Sequence, residues 1–345
     1  MANSSELSRR SLLAGTIGAA LVFSGLPADG EAVEQRNMKA DDSRSVTRAD
    51  LDRMMKELSN WGRWGKDDQL GAVNLITPEK RRHAASLVRE GITVSLCSKI
   101  DLEKAVDNSN PFLHVMNSTG EKPEATAVTD TFTISPHGSG HAHFDSLCHV
   151  FYQGHMYNGY PQNLVTSQGA PKLDVAAFKG GIITRGILMD IARLKGVPFL
   201  EPDVIIYPED LDAWARQARV KVTSGDMIYL RTGRWARRAA KGPFDPNVIT
   251  AGLHLSCARW LKQHDVSVLA CDSISEIVPS PIEGVRLPIH TLAMVAMGIP
   301  LLDNCDLEAL GETAKRLNRW EFMAITAPLP IPGGTGSALD PLAMF

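Results

Sequence analysis

The chain has 345 residues, 44% hydrophobic and 22% charged, the mix of a soluble globular protein with room for a large core. Its 36 basic and 39 acidic side chains leave a net charge of −3. That excludes the basic stripe a nucleic-acid partner demands and points to a small, roughly neutral partner.

The N-terminus reads as an address. Ser8-Arg9-Arg10-Ser11-Leu12-Leu13 opens an apolar, Gly/Ala-rich run ending at Leu26. The run is shorter than the roughly 20 apolar residues of a membrane span, and the paired arginines favour twin-arginine export. Residues 1–32 are therefore expected to be a signal peptide, cleaved after Ala28 or Ala32, and 33–46 a polar linker. The mature protein is expected in the periplasm or outside the cell, with no stable membrane association. Residues 47–345 form the predicted domain.

Thr47-Arg48-Ala49-Asp50 is a capping-box-like helix start, followed by Leu51, Met54, Met55 and Leu58 at helical spacing. Thr77-Pro78 begins a second helix that Gly91 closes, and Ile92 to Cys97 reads as a strand. The Thr-rich segment 120–136 is β-like. Gly181 to Ile191 and Asp226 to Thr232 read as buried strands, Glu209 to Arg219 and Leu255 to His264 as helices, and Val266 to Cys271 as an apolar run. Pro288 starts a helix that Gly298 ends, and Leu301 begins the next ordered piece. Strands mixed with helices predict an α/β or α+β fold in a single domain.

Five of the ten histidines fall between His137 and His155, around PHGSGHAHFDSLCHV. His141, His143 and Asp145 alternate, so on an extended strand they would share a face. Two imidazoles and a carboxylate converging make a site for a divalent transition metal. His149 follows four residues later, within reach as a ligand or a general base. His137 lies four residues before His141, with Pro136 and Gly138 leaving its direction open. His155 sits in a turn-rich stretch, either lining a pocket or solvated. Cys148, inside the cluster, faces away from His149 on a strand and is read as packing. His290, in the first turn of its helix, and Asp303 beyond that helix form a second cluster; alone, each would be a core histidine and a cap. Gly333-Gly334-Thr335-Gly336-Ser337 lacks the Gly-Lys-Ser/Thr of a phosphate loop and is read as a turn. No cysteine pair has CxxC spacing, and five is an odd number, so neither a disulfide framework nor a zinc finger is indicated.

The histidine run and the following FYQGHMYNG resemble the metal-dependent hydrolases of the cyclase family, which include bacterial kynurenine formamidases and isatin hydrolases. WGRWGKDDQLGAVNLITPEK, RGILMDIARLKG, GDMIYLRTG, LPIHTLAMVAMGIPLLDNCDLEAL and PLPIPGGTGS carry the likeness from about residue 60 to the end. Against the family pattern H-x-G-T-H-x-D-x-P-x-H, the resemblance implies His143 and Asp145 as metal ligands and His149 as the catalytic acid/base. His290 and Asp303 resemble the distal His and Glu ligands, with Asp in place of Glu. The first ligand falls at Ser139 and the family's Pro at Leu147. His141 is the expected substitute ligand and His137 the other candidate, as in a longer branch reading HGxxHxHxDxLxH.

The resemblance further implies a swivelling β/β/α fold, a homodimer and a bound Mn²⁺ or Zn²⁺. The expected function is an exported hydrolase that cleaves an amide or cyclic amide C–N bond with a water the metal activates. Trp61, Trp64 and Tyr157 are candidates for an apolar wall against a ring-bearing substrate. The rivals are ester or lactone hydrolysis at the same site, and a non-catalytic small-molecule binder with a degenerate site.

Overall fold

Folding of the described part begins where the sequence places its first cap. In the computed structural model, which describes residues 44–345, the Thr47 hydroxyl accepts from the Asp50 N–H and the Asp50 carboxylate accepts from the Thr47 N–H. This closes the capping box of α1 (Arg48–Glu57), whose Leu51, Met54 and Met55 turn inward. The predicted signal peptide, and all of the linker before residue 44, lie outside the described residues.

Thr77 caps α2 (Pro78–Ser86), which ends five residues before Gly91 because Leu87 already closes its last turn. Then follow β1 (Thr93–Ser95), the hairpin strands β2 (Leu113–Ser118) and β3 (Thr129–Thr133), and β4 (His143–Asp145). The middle of the chain alternates: β5 (Ile182–Asp190), α3 (Ile191–Leu194), β6 (Ile205–Ile206), α4 (Pro208–Ala218), β7 (Met227–Arg231), α5 (Arg234–Lys241), β8 (Gly252–Leu253), α6 (Cys257–Gln263) and β9 (Val268–Cys271). The helix predicted from Pro288 is one α turn, α7 (Pro288–His290), continued by a π-helix over Thr291–Met297 and stopped by left-handed Gly298. The chain ends with β10 (Leu301–Asp303), α8 (Glu308–Leu317), β11 (Glu321–Thr326), β12 (Gly336–Ala338) and β13 (Leu342–Met344).

Nine strands make one mixed sheet in the order β1-β13-β11-β5-β7-β9-β10-β4-β12. Its centre, β5, β7, β9 and β10, is parallel. These strands are covered on both faces, which is why they read as continuous apolar runs rather than alternating ones. β11 pairs antiparallel with β5 and alternates between partly and fully buried residues, as a strand open on one side should. The result is a mixed α/β domain, and Ser45–Phe345 forms one compact unit. The π-helical segment is wholly buried and packs on α1 and α6, fixing the turn of α7 that carries His290. Among the described residues no helix is long and apolar enough to cross a membrane.

Candidate metal centre

β4 is only three residues long, yet it sets the site. Within it His143 and Asp145 alternate and share a face, and both are buried. β10 pairs antiparallel with β4 in a register that puts Asp303 opposite His143. On the other side β12 places Gly336 opposite Asp145. A side chain at Gly336 would begin 2.6 Å from the His137 ring and 2.5 Å from the Phe144 carbonyl, so glycine is what admits His137. His290 arrives from α7: its Nε2 lies 3.2 Å from Asp303 Oδ2 and 3.8 Å from Asp145 Oδ2.

Two three-residue groups result, each with potential ligand atoms within 4.8 Å of one another. One is His143, Asp145 and Asp303; the other is His137, Asp145 and His149. Asp145 belongs to both. His137 Nδ1–H donates to Asp145 Oδ1 at 2.7 Å, and its Nε2 lies 2.9 Å from the Thr335 hydroxyl. His137 and His149 stack with ring centroids 3.7 Å apart.

His141 is not brought into either group. The shared face required extended backbone through residues 141–145, but the strand begins at His143 and His141 sits on a bend. Its ring is buried with Nε2 unpartnered, 6.1 Å from the His143 ring. What it offers the cluster is its backbone carbonyl, 3.3 Å from His143 Nδ1.

The tautomers suit metal binding. His143 Nδ1–H points at that carbonyl, leaving Nε2 3.5 Å from Asp145 Oδ1. His290 Nδ1–H donates to Glu276 Oε2 at 2.5 Å, and its Nε2, 3.2 Å from Asp303, carries a second proton that a bound cation would displace. Imidazoles oriented by a carboxylate or carbonyl on one nitrogen and free on the other are the usual form of metal-ligating histidine. The charge balance agrees. Asp145, Asp303 and Glu276 are all at most 3% exposed, and among the described residues every ion-pair partner of the three is an imidazole. Buried carboxylates without a guanidinium or ammonium partner are costly, and a divalent ion is a fitting counter-charge for this donor set.

The protonation states follow from the same setting. Burial pushes Asp145 up, but the neighbouring His143, His149 and His137 outweigh it and hold the carboxyl below the usual range. Burial lowers His149 to about 4 against the pull of Asp145, and lowers His141 to about 4. Burial also works against the charged His290, yet Glu276 and Asp303 raise it well above the ordinary value.

Other sequence expectations resolve differently. Gly333–Ser337 is more than a turn: Thr335 contacts His137, and Gly336 and Ser337 lie in β12 against β4. Tyr157 is fully buried and donates to Asp68, so it presents no face to a ligand. Trp61 Nε1–H donates to the Val295 carbonyl. His155 is exposed, its Nδ1–H on the Gln153 carbonyl. Cys148 is buried against Gly334, its thiol pushed up to about 12 by burial, as packing requires.

Glu276, Thr335 and Ser275, whose hydroxyl donates to Asp303 Oδ1 at 3.1 Å, were not read from the sequence. The available signal was the polar run Asp272-Ser-Ile-Ser-Glu276 just past the carboxyl end of buried β9, where open α/β sheets place their sites.

Comparison with known proteins bears on this geometry. The family model described as putative cyclase matches residues 94–276. A crystal structure described as a novel cyclase is similar at 29% identity, with a TM-score of 0.75 over 83% of this chain and 99% of that one. Isatin hydrolase A from Ralstonia solanacearum is 19% identical, with a TM-score of 0.54 over 76% of this chain and 93% of that one. An isatin hydrolase bound to the product analogue thioisatinate is 16% identical, with a TM-score of 0.53 over 75% and 93%. These last two likenesses show a shared fold. No curated protein matches significantly.

Proposed function

The chain belongs to the putative cyclase family, and from that premise we propose that it is a metal-dependent hydrolase that opens an amide or cyclic amide C–N bond in a small ring-containing molecule. The observation that carries the reading is the set of three buried carboxylates whose ion-pair partners, among the described residues, are all imidazoles. The fold shared with isatin hydrolases, one of them holding thioisatinate, supports the substrate class.

His143, Asp145, Asp303 and His290 would hold one ion, and His137 with Asp145 would serve a second position beside it. Mn²⁺ or Zn²⁺ bound there would polarise a substrate carbonyl and acidify a water. His149 is neutral at pH 7 because burial lowers it to about 4, so its ring can take a proton and return it to the leaving nitrogen. Stacking on His137 fixes the ring that makes this transfer. Asp145, held ionised by the histidines around it, orients His137 through the 2.7 Å hydrogen bond.

The reading includes export by the twin-arginine route, supported by Ser8–Leu13 alone. It also includes a homodimer, supported by the β2–β3 hairpin. All its strand residues are exposed, with Leu113, Val115, Met116, Val128 and Phe132 between 46% and 61% accessible. A two-stranded hairpin free on both faces is marginal by itself. Leu113 and Val115 lie on one face and Met116 and Phe132 on the other, so a partner copy would have to embrace both faces to approach the roughly 1,000 Å² of a specific interface. A Val115→Asp, Phe132→Asp double variant should sediment as a monomer; if its mass equals the wild type's, the hairpin is not the contact.

The test of function is elemental analysis of the purified protein followed by assay on N-formyl arylamines, lactams and lactones. The expected result is bound Mn or Zn and turnover of the amides. His149→Ala should retain the metal and lose about 10²- to 10⁴-fold in rate. Turnover confined to lactones would favour the ester reading, and full metal occupancy with no turnover would favour a binding protein.

A further inference from the structure

The loop that carries His137 has no hydrogen-bonded ladder of its own, so something else must hold it. Residues 134–142 lie outside any strand or helix. Arg234, the first residue of α5, reaches this loop from the far side. It is 2% exposed. Its Nη2–H donates to the Ser139 carbonyl at 2.8 Å, and its Nη1–H donates to the Asn304 side-chain oxygen at 2.6 Å. Asn304 follows the site residue Asp303, holds a left-handed backbone with φ of 58°, and donates from Nδ2 to the Gly138 carbonyl at 3.3 Å. The guanidinium and the amide thus join two segments that both feed the site: the end of β10 and the residues directly after His137.

We infer that Arg234 and Asn304 are a positioning clamp that sets His137 against Asp145, compensating for the ligand missing at Ser139. The inference rests on the proposed metal site and says which of its halves depends on remote support. Lysine cannot reproduce the clamp in full, because one planar fork serves two acceptors in different segments. The buried charge has a reason to be there beyond the site: Asp107 lies 3.4 Å from Nη2. Asp107 also receives Arg238 Nε–H at 2.7 Å, so it keeps a cationic partner when Arg234 is replaced. Substitution therefore need not strand a buried carboxylate.

Outer residues that orient metal ligands typically change metal affinity by about 10- to 100-fold. The experiment is titration of chelator-stripped full-length protein with Mn²⁺ and with Zn²⁺, by calorimetry, for wild type, Arg234→Met, Arg234→Lys and Asn304→Gly, beside circular dichroism and thermal melting. The clamp predicts at least about a tenfold loss of affinity, or loss of one ion of two, in Arg234→Met and Asn304→Gly at unchanged secondary structure. Arg234→Lys should fall between. A purely structural role would lower the melting temperature and leave affinity intact, which would overturn the inference. Should Arg234→Met fail to fold, Asn304→Gly, which removes the neutral link and suits the left-handed backbone at φ 58°, decides alone. Wild type that takes up neither ion would overturn the metal reading and the clamp together. Wild type that binds, beside clamp variants that bind equally well, would overturn the clamp only.

Discussion

The same sheet buries carboxylates in two ways. Across β5 and β7, Asp226 and Asp190 are completely inaccessible. Asp226 is gripped by Arg185 at 2.5 Å and by Lys80; Asp190 is held by Arg231 at 2.8 Å and Arg193 at 3.0 Å. Around β4 and β10, Asp145, Asp303 and Glu276 are as deeply buried, but among the described residues their ion-pair partners are all histidines. A guanidinium saturates a carboxylate and ends its chemistry. An imidazole offers a lone pair beside it and leaves room for an exchangeable cation. The contrast separates a structural acid from a candidate ligand without reference to any relative.

The largest expected effect comes from removing one acid of each kind. Asp226→Asn leaves Lys80 without its carboxylate and Arg185 with Glu321 alone, so it should lower stability by about 3 kcal/mol while metal content stays at the wild-type level. Asp145→Asn, shared by both ligand groups, should abolish metal binding and reduce turnover by roughly 10³-fold or more, the scale of a lost catalytic group. Metal-free Asp145→Asn should be somewhat less stable than metal-free wild type, because the histidines that hold the carboxyl ionised lose their counter-charge, but it should lose less than Asp226→Asn. Denaturant unfolding with metal analysis checks both. If Asp145→Asn unfolds as readily as Asp226→Asn and wild type binds no ion, the two regions are the same kind of network.

A smaller effect sharpens the contrast at the level of the whole protein. Adding Mn²⁺ or Zn²⁺ at 100 times its dissociation constant should stabilise stripped wild type by about 2.7 kcal/mol. Asp226→Asn should gain by the same amount and Asp145→Asn by nothing. Equal gains in all three would mean that the ion binds elsewhere.

Legibility in the sequence follows the same division. The shared face of His143 and Asp145 was readable because alternate residues on one short strand lie together whatever surrounds them. The helix starting at Pro288 was readable from its proline and Gly298, although its π continuation was not, because that depends on burial on every side. Which of His141 and His137 meets Asp145 was not a local matter. It turns on where β4 begins and on how Arg234 and Asn304, about 95 and 165 residues further along, hold the intervening loop. Glu276 and Thr335 are single polar residues in loops with no periodicity to mark them. They enter the site through the pairing of β12 and β10 with β4, and register between distant strands leaves no short-range trace. Likewise β3 was anticipated from its threonines, whereas β2 was not, since Leu113–Ser118 shows no alternation of burial to read.

A third kind of carboxylate, at the surface rather than buried, provides the smallest effect and the control for the other two. Asp50 lies at the surface with its side chain 26% exposed, and hydrogen bonds from the Thr47 hydroxyl and N–H, and then Arg53, lower it to about 2 from 3.8. Because the folded value is depressed, its contribution to α1 is complete above 3.8 and disappears as the pH falls from there through 2. Asp50→Asn mimics the protonated state, so its melting temperature should lie slightly below wild type at pH 7 and converge with it near pH 2. Stripped protein is the right material, since protonation of the histidine cluster would otherwise add metal loss to the acid side of both curves. A difference that persists unchanged to pH 2 would show that Asp50 acts through size or propensity rather than charge. Convergence would show that this acid, unlike Asp226 or Asp145, needs neither a buried cation nor a metal: water solvates it, and the helix N-terminus supplies the rest.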